Sequence, residues 1–214
     1  MKQVLSLITA FGLLFTIQAQ NEKMVKAMKP MVVALDSIKT AQGWTAAANQ
    51  FQRIADAEKT QWLPYYYAAL SHVMSGFMSG SNQPATSDPL ADKAEALLLK
   101  AEELQPGNDE IYIVKKMIVN LRLQADPMNR WQTYGPQGAE ALSKAKAINP
   151  ANPRVALLEG QDKFYTPEEF GGDKAEAKIL FETSIKRFAE AKPASEIHPQ
   201  WGLNQAQYFL SQVK

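Results

Sequence analysis

The chain has 214 residues with 23 basic and 22 acidic side chains, a formal charge of +1. That balance excludes a nucleic-acid binder built on a basic excess, and the lack of cysteine excludes disulfides, thiolate metal sites and cysteine nucleophiles together. Apolar residues make up 46% of the chain, with 30 alanines and 20 leucines, and this predicts an ordered, all-α protein.

Residues 1–19 carry the three parts of a secretory signal. Met1 and Lys2 form a short positive start, Val4 to Phe15 an uncharged apolar run, and Ala19 the small residue at the cut. Cleavage after Ala19 predicts a periplasmic or secreted protein of residues 20–214, read as a single solenoid domain. No later segment is apolar enough to span a bilayer. Helices are expected at 22–39, 43–58, 63–79, 88–104, 109–124, 136–148, 153–163, 173–190 and 199–213, with Pro, Gly and Asn between them. Asn152-Pro153 pairs an N-cap with a first-turn proline. Asp173 to Glu176 has capping-box spacing. Pro30 should kink or delay the first helix, and Met24, Met28 and Met31 lie on one side of it.

A repeat appears in the second half. Ala94, Leu98, Ala101 and Pro106 stand at offsets of 0, 4, 7 and 12, and Gly138, Leu142, Ala145 and Pro150 match them in class and spacing. Ala177, Phe181 and Ser184 make a third copy without the proline. Offsets of 4 and 7 fall on one helix face, where small residues admit a neighbouring helix and the large one fills the gap. This resembles the second helix of a tetratricopeptide repeat. Tyr65, Ala69 and His72 fit the first helix in part. Tyr112 also fits, but Lys116 replaces the small residue and Val119 the aromatic. The resemblance covers residues 60–214 well and implies a TPR-like, right-handed solenoid of four helical hairpins with a C-terminal capping helix. In such stacks the first helices line a concave groove, here Tyr66, Leu70, Val73, Ile113, Met117, Asn120, Arg154, Leu157 and Gln161. A peptide, a lipid-like or aromatic small molecule, or the chain's own N-terminal helix could fill it.

The repeats are longer than the usual 34 residues or so. The extra residues are expected as loops at 78–89, 125–136 and 164–172, all on one edge. Insertions gathered on one face often mark a binding surface, and these hold Trp131, Tyr134, Phe164, Tyr165 and Phe170. Aromatics are costly in loops unless they bind a partner or seal helix ends. Arg130 and Arg154 add forked donors suited to a carboxylate, although Arg130 could instead bond the last carbonyls of helix 109–124. The candidate binding residues are therefore Arg130, Trp131, Tyr134, Arg154, Phe164, Tyr165 and Phe170. The segments around Tyr134-Gly135-Pro136 and Tyr165 to Gly172 are similar to those of small secreted tetratricopeptide-type proteins of Bacteroidota. That likeness implies no catalytic residue.

No nucleophile elbow, phosphate loop, dinucleotide fingerprint or calcium loop is present. His72 and His198 are 126 positions apart and make no metal motif. We expect no metal and no cofactor. The function expected is a non-enzymatic binding or scaffold module whose partner is an envelope protein, a peptide or a small apolar or acidic ligand. The alternative is a hydrolase using carboxylates among Glu159, Asp162, Glu168, Glu169 and Asp173.

Overall fold

A computed structural model describes residues 22–80 and 83–213, so the signal segment expected at 1–19 lies outside the described residues. Among the described residues the chain forms nine α-helices: α1 (22–34), α2 (Ala41–Ala57), α3 (Trp62–Met78), α4 (Pro84–Leu104), α5 (Asp109–Ala125), α6 (Pro127–Ile148), α7 (Pro153–Tyr165), α8 (Lys174–Glu190) and α9 (Leu203–Gln212). Single 3-10 turns occupy Leu35–Ser37 and Glu168–Phe170. The helices pack as sequential hairpins. None is long and apolar enough to cross a membrane.

Several boundaries follow from caps that the sequence displays. Thr40 Oγ1 accepts from Gly43 N, Asn108 Oδ1 from Glu110 N, Asn152 Oδ1 from Arg154 N and Asp173 Oδ1 from Glu176 N. Each satisfies a donor that the first helical turn leaves unpaired. Pro30 does not break α1, which runs on to residue 34 and then tightens into the 3-10 turn. Met24 and Met28 are buried in the main core.

The repeat positions are core. Ala94, Leu98, Ala101, Leu142, Ala145, Ala177, Phe181 and Ser184 are all buried. Close helix approaches depend on glycine: a Cβ on Gly76 would lie 2.6 Å from Leu121, and one on Gly160 would lie 2.6 Å from Phe181.

Two expectations about the edge are corrected. The 125–136 insertion is helix rather than loop, because Pro127 supplies a first-turn proline and α6 continues through Pro136. The 78–89 insertion is helical from Pro84. Proline near a helix start costs little, since the N–H it lacks has no partner there. The third insertion, between α7 and α8, contains no α-helix, and its one regular turn is the 3-10 turn at Glu168–Phe170. Thus Arg130, Trp131 and Tyr134 stand on the first turns of a long helix.

The last helix is also shorter than expected. Residues 191–202 are not helical, and α9 begins only after Gly202, whose φ of +114° is accessible to glycine and strained for other residues. This segment packs on α3, over part of the surface expected to line a groove. Ile197 and Trp201 are buried in the main core. Tyr67 Oη donates to the Ile197 carbonyl at 2.9 Å, and Trp201 Nε1 donates to Tyr66 Oη at 2.8 Å. The chain's own C-terminal segment therefore covers these tyrosines, and α1 shares the same core, with Lys29 paired to Glu196.

A second, smaller cluster forms from Leu157, Ala177, Phe181, Ala206 and Val213 with Phe164, Ile185, Phe188, Phe209 and Leu210. It belongs to α7, α8 and α9. Gly202 abuts Leu157 near the start of α7, and Phe209 reaches Phe164 near its end, so α9 runs parallel to α7.

Candidate functional site

Hairpins place the C-terminal ends of α3, α5 and α7 beside the N-terminal ends of α4, α6 and α8. The end of the parallel helix α9 joins that edge. Met78, Met128, Trp131, Tyr165, Phe170 and Tyr208, all exposed large apolar residues, lie on it. Met128 is 83% exposed, Trp131 58% and Tyr165 62%. A concentration of this kind marks an interaction surface more often than a chance distribution does.

The aromatics at the α7–α9 end support one another. Phe164 and Tyr165 meet edge-on at 5.2 Å, and Phe209 stacks on Phe181 at 5.4 Å while touching Phe164 and Tyr165 at 5.8 and 5.7 Å. Phe164 is half-buried and holds Tyr165 in place, with the phenol ring of Tyr165 outermost. Burial of its inner side, and then Tyr208 beside it, raise the Tyr165 phenol above its ordinary pKa. It remains a neutral donor. Phe170 sits on the following 3-10 turn, which ends at Gly171 in the left-handed conformation. Tyr208 and Phe209 belong to the same group. They come from the last helix, and only the closing of the stack brings them there, so local pattern could not show it.

The two arginines are committed elsewhere. Arg130 makes a forked pair with Asp88, Nη1 to Oδ1 at 2.7 Å and Nη2 to Oδ2 at 2.8 Å, and Nη1 also donates to the Arg122 carbonyl at 3.0 Å. The hydrogen bond from Arg130 holds the Asp88 carboxyl below its usual pKa. Arg130 thus ties α6 to α4 and satisfies a terminal carbonyl of α5. Its guanidinium lies 5.8 Å from the half-buried Tyr134 ring. Arg154 is buried under Trp201. Its guanidinium lies 4.9 Å from the Trp201 ring and 5.5 Å from Phe188, and Nη1 donates to Glu110 at 2.8 Å. Glu110 also accepts from Asn152 and from Tyr66 Oη. Neither fork is presented at the edge.

Between α6 and α7 the stack is looser. These helices approach over a much shorter stretch than α4 and α5 do at the equivalent junction. Charged pairs join them and α5: Lys146 to Glu159 at 2.7 Å, and Lys116 on α5 to Asp162 on α7 at 2.9 Å. Met128, Trp131, Gly135 and Leu142 share with Lys146 the face of α6 turned toward α7. Nothing stands within 4 Å of where a Gly135 Cβ would be. On the floor, Lys116 and Val119 lie against Gly138, where a Cβ would be 3.0 Å from Lys116 Nζ. Lys116 therefore stays buried because residue 138 lacks a side chain.

Among the described residues no group of three His, Cys, Asp or Glu side chains could hold a metal ion. His72 is buried in mid-α3, with Nδ1 lacking a hydrogen-bond partner. Burial, then Lys93, lowers its pKa. His198 packs edge-on against Trp62 at 5.7 Å, and burial also lowers its pKa. Neither histidine lies at the aromatic edge. Glu159 and Asp162 are consumed in the ion pairs above, and Asp173 caps α8.

No family model matches the sequence, and no curated protein matches it. A solved structure does: the HusA haemophore from Porphyromonas gingivalis, at 36% identity and a TM-score of 0.79, with 89% of this chain and 92% of that one covered. The chain belongs to the HusA haemophore family. Membership accounts for the all-α architecture over nearly its whole length, and the tetratricopeptide assignment gains no independent support from it. The family is one of non-enzymatic binding proteins, which overturns the hydrolase alternative.

Proposed function

We propose that this chain is a secreted, non-enzymatic binding protein that captures haem or a related porphyrin at the edge bearing Trp131, Tyr165, Phe170 and Tyr208. The observation that carries the reading is the near full-length match to a haemophore at 36% identity. The chemistry of the edge supports it. A porphyrin is a flat apolar ring with two carboxylates, and exposed aromatic side chains held by a rigid base offer it stacking area at small entropic cost. The signal pattern of residues 1–19 supports export. The small–large–small spacing around Leu98 and Leu142 supports a scaffold of TPR-like, right-handed type.

Because both histidines lie away from this edge, stacking rather than imidazole coordination holds the ring in this reading. Iron-free protoporphyrin should then bind about as well as haemin. The experiment is a titration of the purified protein with haemin and with protoporphyrin IX, followed by the porphyrin absorption band and by tryptophan fluorescence. Trp131→Ala and Tyr165→Ala should each weaken binding by about 1–2 kcal/mol. A folded double variant that binds both ligands as tightly as the parent would remove the edge from consideration. A parent that binds neither would end the porphyrin reading.

A further inference from the structure

Lys116 is an ammonium group enclosed at the meeting of α5, α6 and α7. Its side chain is 6% exposed, whereas that of its partner Asp162 is 42% exposed. An ion pair so divided is unusual. Replacing a buried pair by apolar side chains of similar volume is often neutral or stabilising, and most positions around this one are apolar. Yet the chain keeps the cation and leaves residue 138 without a side chain to make room for it. Asp162 is a poorly matched counter-ion. Burial of its inner side raises its carboxyl above the ordinary range against the pull of Lys116, and Glu159 raises it further. Its exposed side can turn to water with little cost, whereas Lys116 cannot leave.

The surroundings suit a flat ligand. The face of α6 toward α7 carries Trp131 at the edge, then Gly135 with open space before it, then Gly138 against Lys116. Leu123, half-buried, stands one helical turn beyond Val119 on the α5 floor. Lys116 lies nine residues before the end of α5, about 13 Å along the helix, and its long side chain shortens the approach. Tyr165 follows Asp162 by one turn of α7 and packs against Phe209 of α9.

We propose that the junction between α6 and α7 is a carboxylate-anchoring slot, in which Lys116 exchanges Asp162 for an acid group of a planar apolar ligand entering past Trp131. The proposal rests on the porphyrin reading and names the residue that reads the ligand's acid groups. No bond is made or broken. One carboxylate replaces another beside the same ammonium group, and Asp162 takes up water.

The test compares protoporphyrin IX with its dimethyl ester on the full chain, with the porphyrin absorption band and the quenching of tryptophan fluorescence as readouts. The parent should bind the diacid about tenfold more tightly than the diester, and Lys116→Met should bring the diacid down to the level of the diester without changing the latter. Asp162→Asn removes the competing carboxylate and should tighten the diacid several-fold. A purely structural ion pair predicts the opposite for Asp162→Asn, a less stable protein with unchanged or weaker binding. Equal binding of diacid and diester by the parent overturns the anchor and leaves the porphyrin reading standing. Loss of both ligands by the parent overturns both. If Lys116→Met does not fold, the ester comparison and Asp162→Asn decide alone.

Discussion

Between α3 and α5 the chain seats Leu121 over Gly76; between α5, α6 and α7 it sets Lys116 against Asp162 and Lys146 against Glu159. The first junction belongs to one continuous apolar core running from α1 to the start of α7. Across the second, α7 is joined to α5 and α6 by polar contacts as well: the two pairs above, Arg154 with Glu110, and Asn152 with Glu110. Apolar packing is satisfied only by shape and leaves no valence for a visitor. An ion pair can trade one partner for another. In the proposal above, the looser, charged junction is where a ligand would be admitted without unpacking the fold.

The contrast can be broken most severely at Arg154. Arg154→Ala leaves Glu110 buried beside Asn152 and Tyr66, and should cost about 3–5 kcal/mol in reversible unfolding. Replacing Arg154 by Met and Glu110 by Leu together should recover most of that loss. If the single change costs under about 1 kcal/mol, the join between the two clusters is not electrostatic. The apolar junctions are next. Ala101→Leu and Gly160→Ala each force a side chain into filled space, and each should cost about 1–3 kcal/mol. A neutral outcome at Ala101 would mean that the repeat register is wrong.

Acidification should separate the regions more gently. His72 in the main core and His198 on the C-terminal segment both have pKa values lowered from 6.5 by burial. For a base held below its unfolded value, the unfolded chain binds more protons in the intervening range. Stability is therefore full above about pH 6.5 and declines as pH falls below it through the folded pKa values. Thermal unfolding between pH 7.5 and 5 should show the decline, and His72→Gln should flatten it. A melting temperature that rises on acidification in that window would contradict the assignment. The smallest effect belongs to Lys146→Ala. Its side chain is more than half exposed while Glu159 is half-buried, and the cost should stay within about 0–1 kcal/mol by the same unfolding measurement.

The helices and caps were legible because they depend on neighbours in sequence. The spacing of Ala94, Leu98 and Ala101, the Asn152-Pro153 start and the Asp173 cap all report local geometry, and the structure keeps them. The nature of the edge was legible only in part. Its position followed from where the repeats lengthen, but its form did not. Prolines at 84 and 127 read equally as loop residues and as first-turn helix residues, and the second sense holds. Arg130 and Arg154 were visible as cations, while the carboxylates that engage them, Asp88 and Glu110, lie 42 and 44 positions away. Tyr208 joins Tyr165 through the closure of the stack, and no periodicity links residues so distant. Lys116 was visible as a break in the repeat, with no sign of its partner. Neither composition nor motif pointed to the proposed porphyrin, since stacking on tyrosine and tryptophan would leave no fixed spacing in sequence.

The contacts of Tyr66 with Trp201 and of Tyr67 with Ile197 join residues 135 and 130 positions apart. An open stack of hairpins can lose or gain a unit at either end, because each unit touches only its neighbours. Here the tail returns to the third helix and sets the number of units. Removing residues 191–213 would strip the cover from the innermost tyrosines, and inserting another hairpin would carry Trp201 out of reach of Tyr66. Residues Ile197 and Trp201 complete the core to which Met24 and Met28 of α1 also belong. Closure of so long a loop makes folding slow relative to an ordinary helical array. In a lineage that copies its hairpins freely, this clasp would hold the length constant.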